Sequence, residues 1–136
     1  RADVDITLLL ADPFRYADDE KQASADVGGE STTINVVNAG SADVPLIVEL
    51  IPVKTMADVT INHTDTGRVM RVADTLLTAP AVLTIDTKAG TVRRDANNAI
   101  NAFSGQFLTA KPGPNTYEIK GSAGKVVIRW RDRWLA

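Results

Sequence analysis

One histidine, no cysteine and a few clustered carboxylates bound the chemistry this chain could carry. His63 lies in Ile61-Asn-His-Thr-Asp-Thr-Gly67. A lone imidazole excludes multi-histidine metal sites and leaves one base for a Ser-His-Asp arrangement. No nucleophile-elbow pattern stands near it, so it reads as a turn residue. Asp12, Asp18, Asp19 and Glu20 cluster in sequence. Glycoside hydrolysis needs two carboxyls held roughly 5–10 Å apart, one of them in apolar surroundings that raise its pKa. A polar Asp-Asp-Glu loop supplies no such walls and reads as a solvated face. The same oxygens lack the spaced Asp-x-Asp-x-Asp-Gly pattern of a calcium loop. Without cysteine there are no disulfides, thiolate zinc sites or cysteine nucleophiles. The residues predict no catalytic, cofactor or metal site, and hence no enzyme.

Arg129-Trp-Arg-Asp-Arg-Trp134 has the composition of a nucleic-acid reader, with guanidinium groups for phosphate and indoles for stacking on bases. In a strand, however, Val126, Ile128 and Trp130 share one face, which makes Trp130 a core residue flanked by outward arginines. Fifteen Lys and Arg against seventeen Asp and Glu give a net charge of −2 with both signs dispersed, so no nucleic-acid partner is expected. Sugar-binding sandwiches stack pyranose faces on exposed aromatics, and the supply here is three Phe, two Tyr and two Trp. Phe103, Phe107, Tyr117 and Trp130 fall where core packing accounts for them. Phe14, Tyr16 and Trp134 remain as candidate surface contacts for a ligand.

Strands must position these groups, because apolar residues alternate along most of the chain. In Pro45–Pro52, Leu46, Val48 and Leu50 take one face while Ile47, Glu49 and Ile51 take the other, as in a largely buried strand. Similar runs at Val4–Leu10, Thr32–Val37, Val59–His63, Arg68–Val72, Ala81–Asp86, Thr91–Arg94, Thr116–Lys120 and Lys125–Arg131 make nine strands. Turn residues punctuate them at sandwich-like intervals. Gly90 closes a short hairpin loop that calls for positive φ. Pro112-Gly113 fits the centre of a type II turn. Gly121 and Gly124 bracket a hairpin pairing Thr116–Lys120 with Lys125–Arg131. Asp95–Phe103 could form up to two helical turns behind Asp95 as N-cap. Asp18–Asp26 reads as a polar loop or one short turn, within a mobile-looking stretch that ends at Gly28-Gly29.

A chain of 136 residues fits one domain able to bury roughly two-thirds of its unfolded surface. Its longest apolar run, Leu8–Ala11, is far short of the roughly 20 residues that span a bilayer, so no membrane insertion is expected. Beginning at Arg1, it reads as a piece of a longer protein.

An ordered set of motifs carries a resemblance. Leu83-Thr-Ile-Asp-Thr-Lys-Ala-Gly-Thr-Val92 is a strand ending in Ile-Asp and a glycine hairpin. Phe107-Leu-Thr-Ala-Lys-Pro-Gly-Pro-Asn115 brings a Pro-Gly-x-Asn turn, and Val127–Leu135 closes on paired Arg-Trp steps. Upstream, Ile6-Thr-Leu-Leu-Leu-Ala-Asp-Pro-Phe-Arg-Tyr16 runs a strand into an Asp-Pro-aromatic-x-aromatic turn. Ile34-Asn-Val-Val-Asn-Ala-Gly40 leads into Pro45–Leu50. Together they resemble the C-terminal domain of distal tail proteins, ring components at the tip of long, flexible, non-contractile phage tails.

The resemblance implies an all-β, two-sheet antiparallel β-sandwich of the jelly-roll or galectin-like kind, akin to carbohydrate-binding modules. It implies that 1–136 is a single sandwich, the C-terminal domain of a longer tail protein whose N-terminal part forms the ring. The fragment would be monomeric, and the full-length protein a ring-forming homo-oligomer. Its partners would be other tail-tip or receptor-binding proteins, in a virion component made in the host cytoplasm. Phe14 and Tyr16 would then serve equally well as anchors of the Asp-Pro turn. The alternative is a carbohydrate-binding module contacting host-surface sugar, which requires a contiguous aromatic platform.

Overall fold

The computed structural model describes residues 14–16, 20–28, 31–121 and 124–135. Among these, fifteen strands follow one another. They are β1 (Phe14–Tyr16), β2 (Lys21–Val27), β3 (Thr32–Asn38), β4 (Val44–Pro45), β5 (Ile47–Pro52), β6 (Val59–His63), β7 (Arg68–Val72) and β8 (Leu83–Asp86). Then come β9 (Thr91–Arg94), β10 (Asn97–Asn98), β11 (Phe103–Gly105), β12 (Thr109–Ala110), β13 (Gly113–Lys120), β14 (Gly124–Trp130) and β15 (Arg133–Leu135). A six-stranded sheet runs β10-β9-β8-β5-β14-β2, and a five-stranded sheet runs β11-β7-β6-β13-β3. Two short ribbons, β1-β15 and β12-β4, complete the architecture, and every pairing is antiparallel. The result is the expected two-sheet sandwich.

The alternation sets which side chains meet between the sheets. Val48 and Leu50 of β5, with Val126, Ile128 and Trp130 of β14, belong to the same buried cluster as Ile34, Ile61 and Tyr117 of the facing sheet. Trp130 is 7% exposed, so the core placement read from its phase with Val126 and Ile128 holds. Phe103 and Phe107 stack with ring centroids 4.4 Å apart and cover the core from its rim. Gly90 and Gly113 take φ of 69° and 91°, as their turns require.

Five expectations change. Lys21–Val27 is a strand rather than a loop, because as the edge of its sheet it needs only Ala23, Ala25 and Val27 to face inward while polar residues meet solvent. The proposed hairpin between Thr116–Lys120 and Lys125–Arg131 does not form. β13 has both edges taken by β6 and β3, and β14 by β5 and β2, so the chain crosses between sheets at Gly121–Gly124. Both glycines make room for that crossing: a Cβ on Gly124 would lie 2.2 Å from Met56 Sδ, and one on Gly121 would lie 3.2 Å from Val59 Cγ2. The stretch Asp95–Phe103 holds β10 and a single 3-10 turn, Ile100–Ala102. Asp95 is no N-cap; it sits at φ 53° and its carboxylate accepts the Val82 N–H at 3.1 Å, prolonging the β8–β9 hairpin. Finally, Pro45–Pro52 breaks at Leu46, where the chain passes from the β12 ribbon to the large sheet. The strand expected at Val4–Leu10 lies outside the described residues.

Candidate functional site

The three aromatic candidates converge on one ribbon. Phe14 pairs with Leu135, Arg15 with Trp134 and Tyr16 with Arg133, so the register sets Trp134 level with Arg15 and not with Phe14 or Tyr16. Trp134 is half-buried. The segment carrying it is clamped by Asp132, 3% exposed, which accepts Lys21 Nζ at 2.6 Å and the Ala39 N–H at 3.1 Å. The Arg133 carbonyl accepts the N–H groups of Ser41 and Ala42, and its Nε donates to the Asp43 carbonyl. A Cβ on Gly40 would lie 2.1 Å from the Arg133 oxygen. Gly40→Ala should therefore push the segment away, costing roughly 1–3 kcal/mol in denaturant titrations and shifting tryptophan emission to the red as Trp134 loses cover.

Asp12, Asp18 and Asp19 lie outside the described residues, and Glu20 is exposed. Among the described residues, no three His, Asp or Glu side chains gather closely enough to hold a metal ion.

His63 is not the turn residue its surroundings suggested; it ends β6 and is 2% exposed. Its Nε2 lies 2.9 Å from Asn115 Oδ1 and its Nδ1 lies 2.9 Å from Thr66 Oγ1. Asn115 Nδ2 donates to the carbonyls of Lys111 and Gly113, while Oδ1 accepts the Lys111 N–H. With the amide oriented by those bonds, Oδ1 can only accept from His63, so the donor of that bond is assigned to Nε2. The imidazole stacks on Tyr117 with centroids 4.6 Å apart. This arrangement holds two turns together and leaves neither ring nitrogen facing a substrate. Beside it, the Thr116 N–H donates to the Asp65 carboxylate and holds it below the ordinary aspartate range.

Burial pushes the Tyr117 phenol well above its ordinary value, with Asp65 and Asp43 adding repulsion to the phenolate. A raised folded-state pKa gives stability that is complete below the unfolded value, about 10, and is lost as pH rises beyond it. From this group, stability should fall by up to about 1.4 kcal/mol per pH unit above pH 10. Tyr117→Phe should remove that part of the slope in alkaline denaturation, though it also loses the 2.6 Å bond from the hydroxyl to the Thr109 carbonyl.

A cleft of about 410 Å³ opens where β14 runs past the last β5 pair, Arg129–Ile47. Pro45, Leu46, Ile47 and Trp130 form its apolar wall. Glu20, Asp86, Lys88, Arg129 and Arg131 supply its charges. The Asp86 carboxylate is committed to its own turn, accepting the N–H groups of Lys88 and Ala89. Arg129 Nη2 lies 2.8 Å from Glu49 Oε1, an ion pair without hydrogen-bond alignment. Trp130 Nε1 is buried and, among the described residues, has no hydrogen-bond partner. Sequence reading placed Trp130 in the core and missed the cleft, because nothing local marks where β5 leaves the sheet.

Fold and polar clusters together define a β-sandwich module whose buried polar groups tie turns and chain ends together. The C-terminal domain of the siphovirus-type tail component matches residues 39–134, and the chain belongs to that family of phage tail proteins. The crystal structure of SPP1 Dit (gp 19.1), described as a paradigm of the hub adsorption apparatus in Gram-positive-infecting phages, superposes with a TM-score of 0.64 at 16% identity. That likeness covers 91% of this chain and 50% of SPP1 Dit, so the chain spans half the length of that protein. The acid-stable capsid of Helicobacter pylori bacteriophage KHP30 aligns over 87% of this chain and 90% of its own, at 12% identity and a TM-score of 0.38, too low to carry an argument. No curated protein sequence matches. As a tail component the protein belongs to the virion, and among the described residues no helix is long and apolar enough to cross a membrane.

Proposed function

We propose that this chain is the peripheral C-terminal sandwich of a distal tail protein, a docking domain for neighbouring tail-tip or receptor-binding proteins rather than an enzyme. The family match over residues 39–134 carries this reading. The commitment of His63, Asn115 and Asp132 to turn-holding bonds supports a scaffold role. A ring built by an upstream part of the protein would supply the symmetry, leaving this domain monomeric, and synthesis would take place in the host cytoplasm. Antibodies raised against the chain should label the tail tip of intact virions, and light scattering should give a mass near 14.6 kDa. Label along the tube or on the capsid, or a stable oligomer of this chain alone, would refute these assignments.

In the alternative reading the β1–β15 ribbon contacts host-surface carbohydrate through Trp134, which the register sets level with Arg15 and not with Phe14 or Tyr16. Binding to isolated cell walls that disappears with Trp134→Ala would favour it over docking alone.

A further inference from the structure

We propose that the paired loops 53–58 and 73–82, at one end of the sandwich, dock an apolar surface of a neighbouring tail protein, with a carboxylate of that protein facing Lys54. The inference rests on the docking function above and assigns it a surface.

Val53 and Leu76 are the most exposed large hydrophobic residues among those described, at 72% and 64%. The loops hold them there. The Met56 N–H donates to the Leu77 carbonyl at 2.8 Å and the Ala79 N–H to the Lys54 carbonyl at 3.2 Å, while Thr55 and Thr78 form an antiparallel bridge. Met56 and Leu77 are fully buried and the Leu76 N–H donates to Asp74 Oδ1 at 3.0 Å, so Leu77 fills the core and Leu76 is left outside. The bridge sets exposed Pro80 level with Val53, which extends the apolar surface. A patch already fixed in place costs little ordering when a partner binds.

Charge selects the occupant. The charged residues of the two loops are Lys54, Asp58 and Asp74. Asp58 is held by Arg71 through two bonds, at 2.9 and 2.7 Å, and Asp74 pairs with Arg94 at 2.5 Å. The Lys54 side chain is exposed and, among the described residues, its ammonium has no partner, so it suits a surface that brings a carboxylate. A second copy supplies none, since a two-fold contact through this patch gathers two lysines while both aspartates stay with their arginines. A lipid surface is disfavoured because interfacial anchoring draws on aromatic residues and clustered cations, and these loops hold one lysine and no aromatic. The same lack of aromatics leaves no ring face for a sugar. The patch lies beyond Pro52, which pairs with Gly124 at the start of β14, whereas Trp134 lies beyond the end of that strand. The two candidate contacts can therefore be tested apart.

The test places the photo-crosslinker p-benzoylphenylalanine at Val53, at Leu76 or, as a control, at exposed Thr33 of the smaller sheet, in the tail protein of intact virions. Illumination and mass spectrometry should link positions 53 and 76 to a different tail-tip protein at least about tenfold above position 33. The linked peptide should hold Asp or Glu among apolar residues. Lys54→Glu should cut the linkage at least about tenfold by setting like charges face to face, and Lys54→Arg should keep it. The position is exposed, so both variants should melt like the parent, and if Lys54→Glu melts early, Lys54→Gln decides in its place. Linkage no higher than at position 33, linkage to a second copy, or Lys54-dependent sedimentation of the chain with phosphatidylglycerol vesicles would overturn the inference. Antibody label at the tail tip together with a silent patch would sink this contact alone. Label elsewhere on the virion, with positions 53 and 76 still linked to a neighbour there, would sink the tail-tip reading instead.

Discussion

Trp130→Ala should destabilise the domain by about 3–5 kcal/mol, the range for deleting a large aromatic from a packed interior. The residue ends β14, in phase with Val126 and Ile128, and all three belong to the main buried cluster. β14 is held on both sides, by β2 along its whole length and by β5 as far as Arg129, so the strand cannot shift inward to fill the void. The cost should therefore fall at the full-cavity end of the range. In a thermal melt it corresponds to a drop of roughly 10–20 °C for a domain of this size. An unchanged melting temperature would mean that Trp130 contributes little to the core.

Asn115→Ala should be nearly as damaging, by about 3 kcal/mol or more, since several buried groups lose partners at once and each such loss costs about 1–3 kcal/mol. The side chain is 1% exposed. Its removal takes a partner from the buried Val36 carbonyl and from His63 Nε2, and from the half-buried Lys111 and Gly113 carbonyls and Lys111 N–H. Asn115→Asp is the informative companion, because it keeps the acceptor for Lys111 and His63 while losing the bonds that Nδ2 donates to the Val36, Lys111 and Gly113 carbonyls. It sets a carboxylate oxygen against those carbonyls in a buried site, so at neutral pH it should cost at least as much as the alanine variant. Amide exchange at Lys111 should accelerate in both variants, and protection equal to the parent's would show that the turn holds without the amide.

The Pro-Gly-x-Asn pattern was visible in the chain, and so was the positive φ of Gly113 that follows from it. What local pattern could not show is that His63, 52 residues earlier, docks on the same amide. The contrast recurs across the fold. Val59–His63 and Arg68–Val72 were legible to the residue, because alternation and the Asp65-Thr-Gly67 turn agree. Lys21–Val27 was not, since its inward face is written in two alanines and one valine, a weak signal in a polar stretch. The crossing between β13 and β14 looked like a hairpin because two glycines flank a short link. Which sheet each strand joins is decided by partners far away in sequence, such as Thr32–Asn38 and Ile47–Pro52. The aromatic ribbon was legible as residues, and its register was not.

The pairing of β1 with β15 and of β2 with β14 has a consequence for how the chain reaches this state. Strands from its start are completed by strands from its end, so the contacts that finish the fold have high sequence separation and a correspondingly large loop-closure entropy. High contact order slows folding to the millisecond-to-second range for all-β domains. On the ribosome, β2 cannot meet Gly124–Trp130 until nearly the whole sequence has emerged. Until then the β14 side of β5 has no partner, an unpaired strand edge of the kind that invites pairing with other chains.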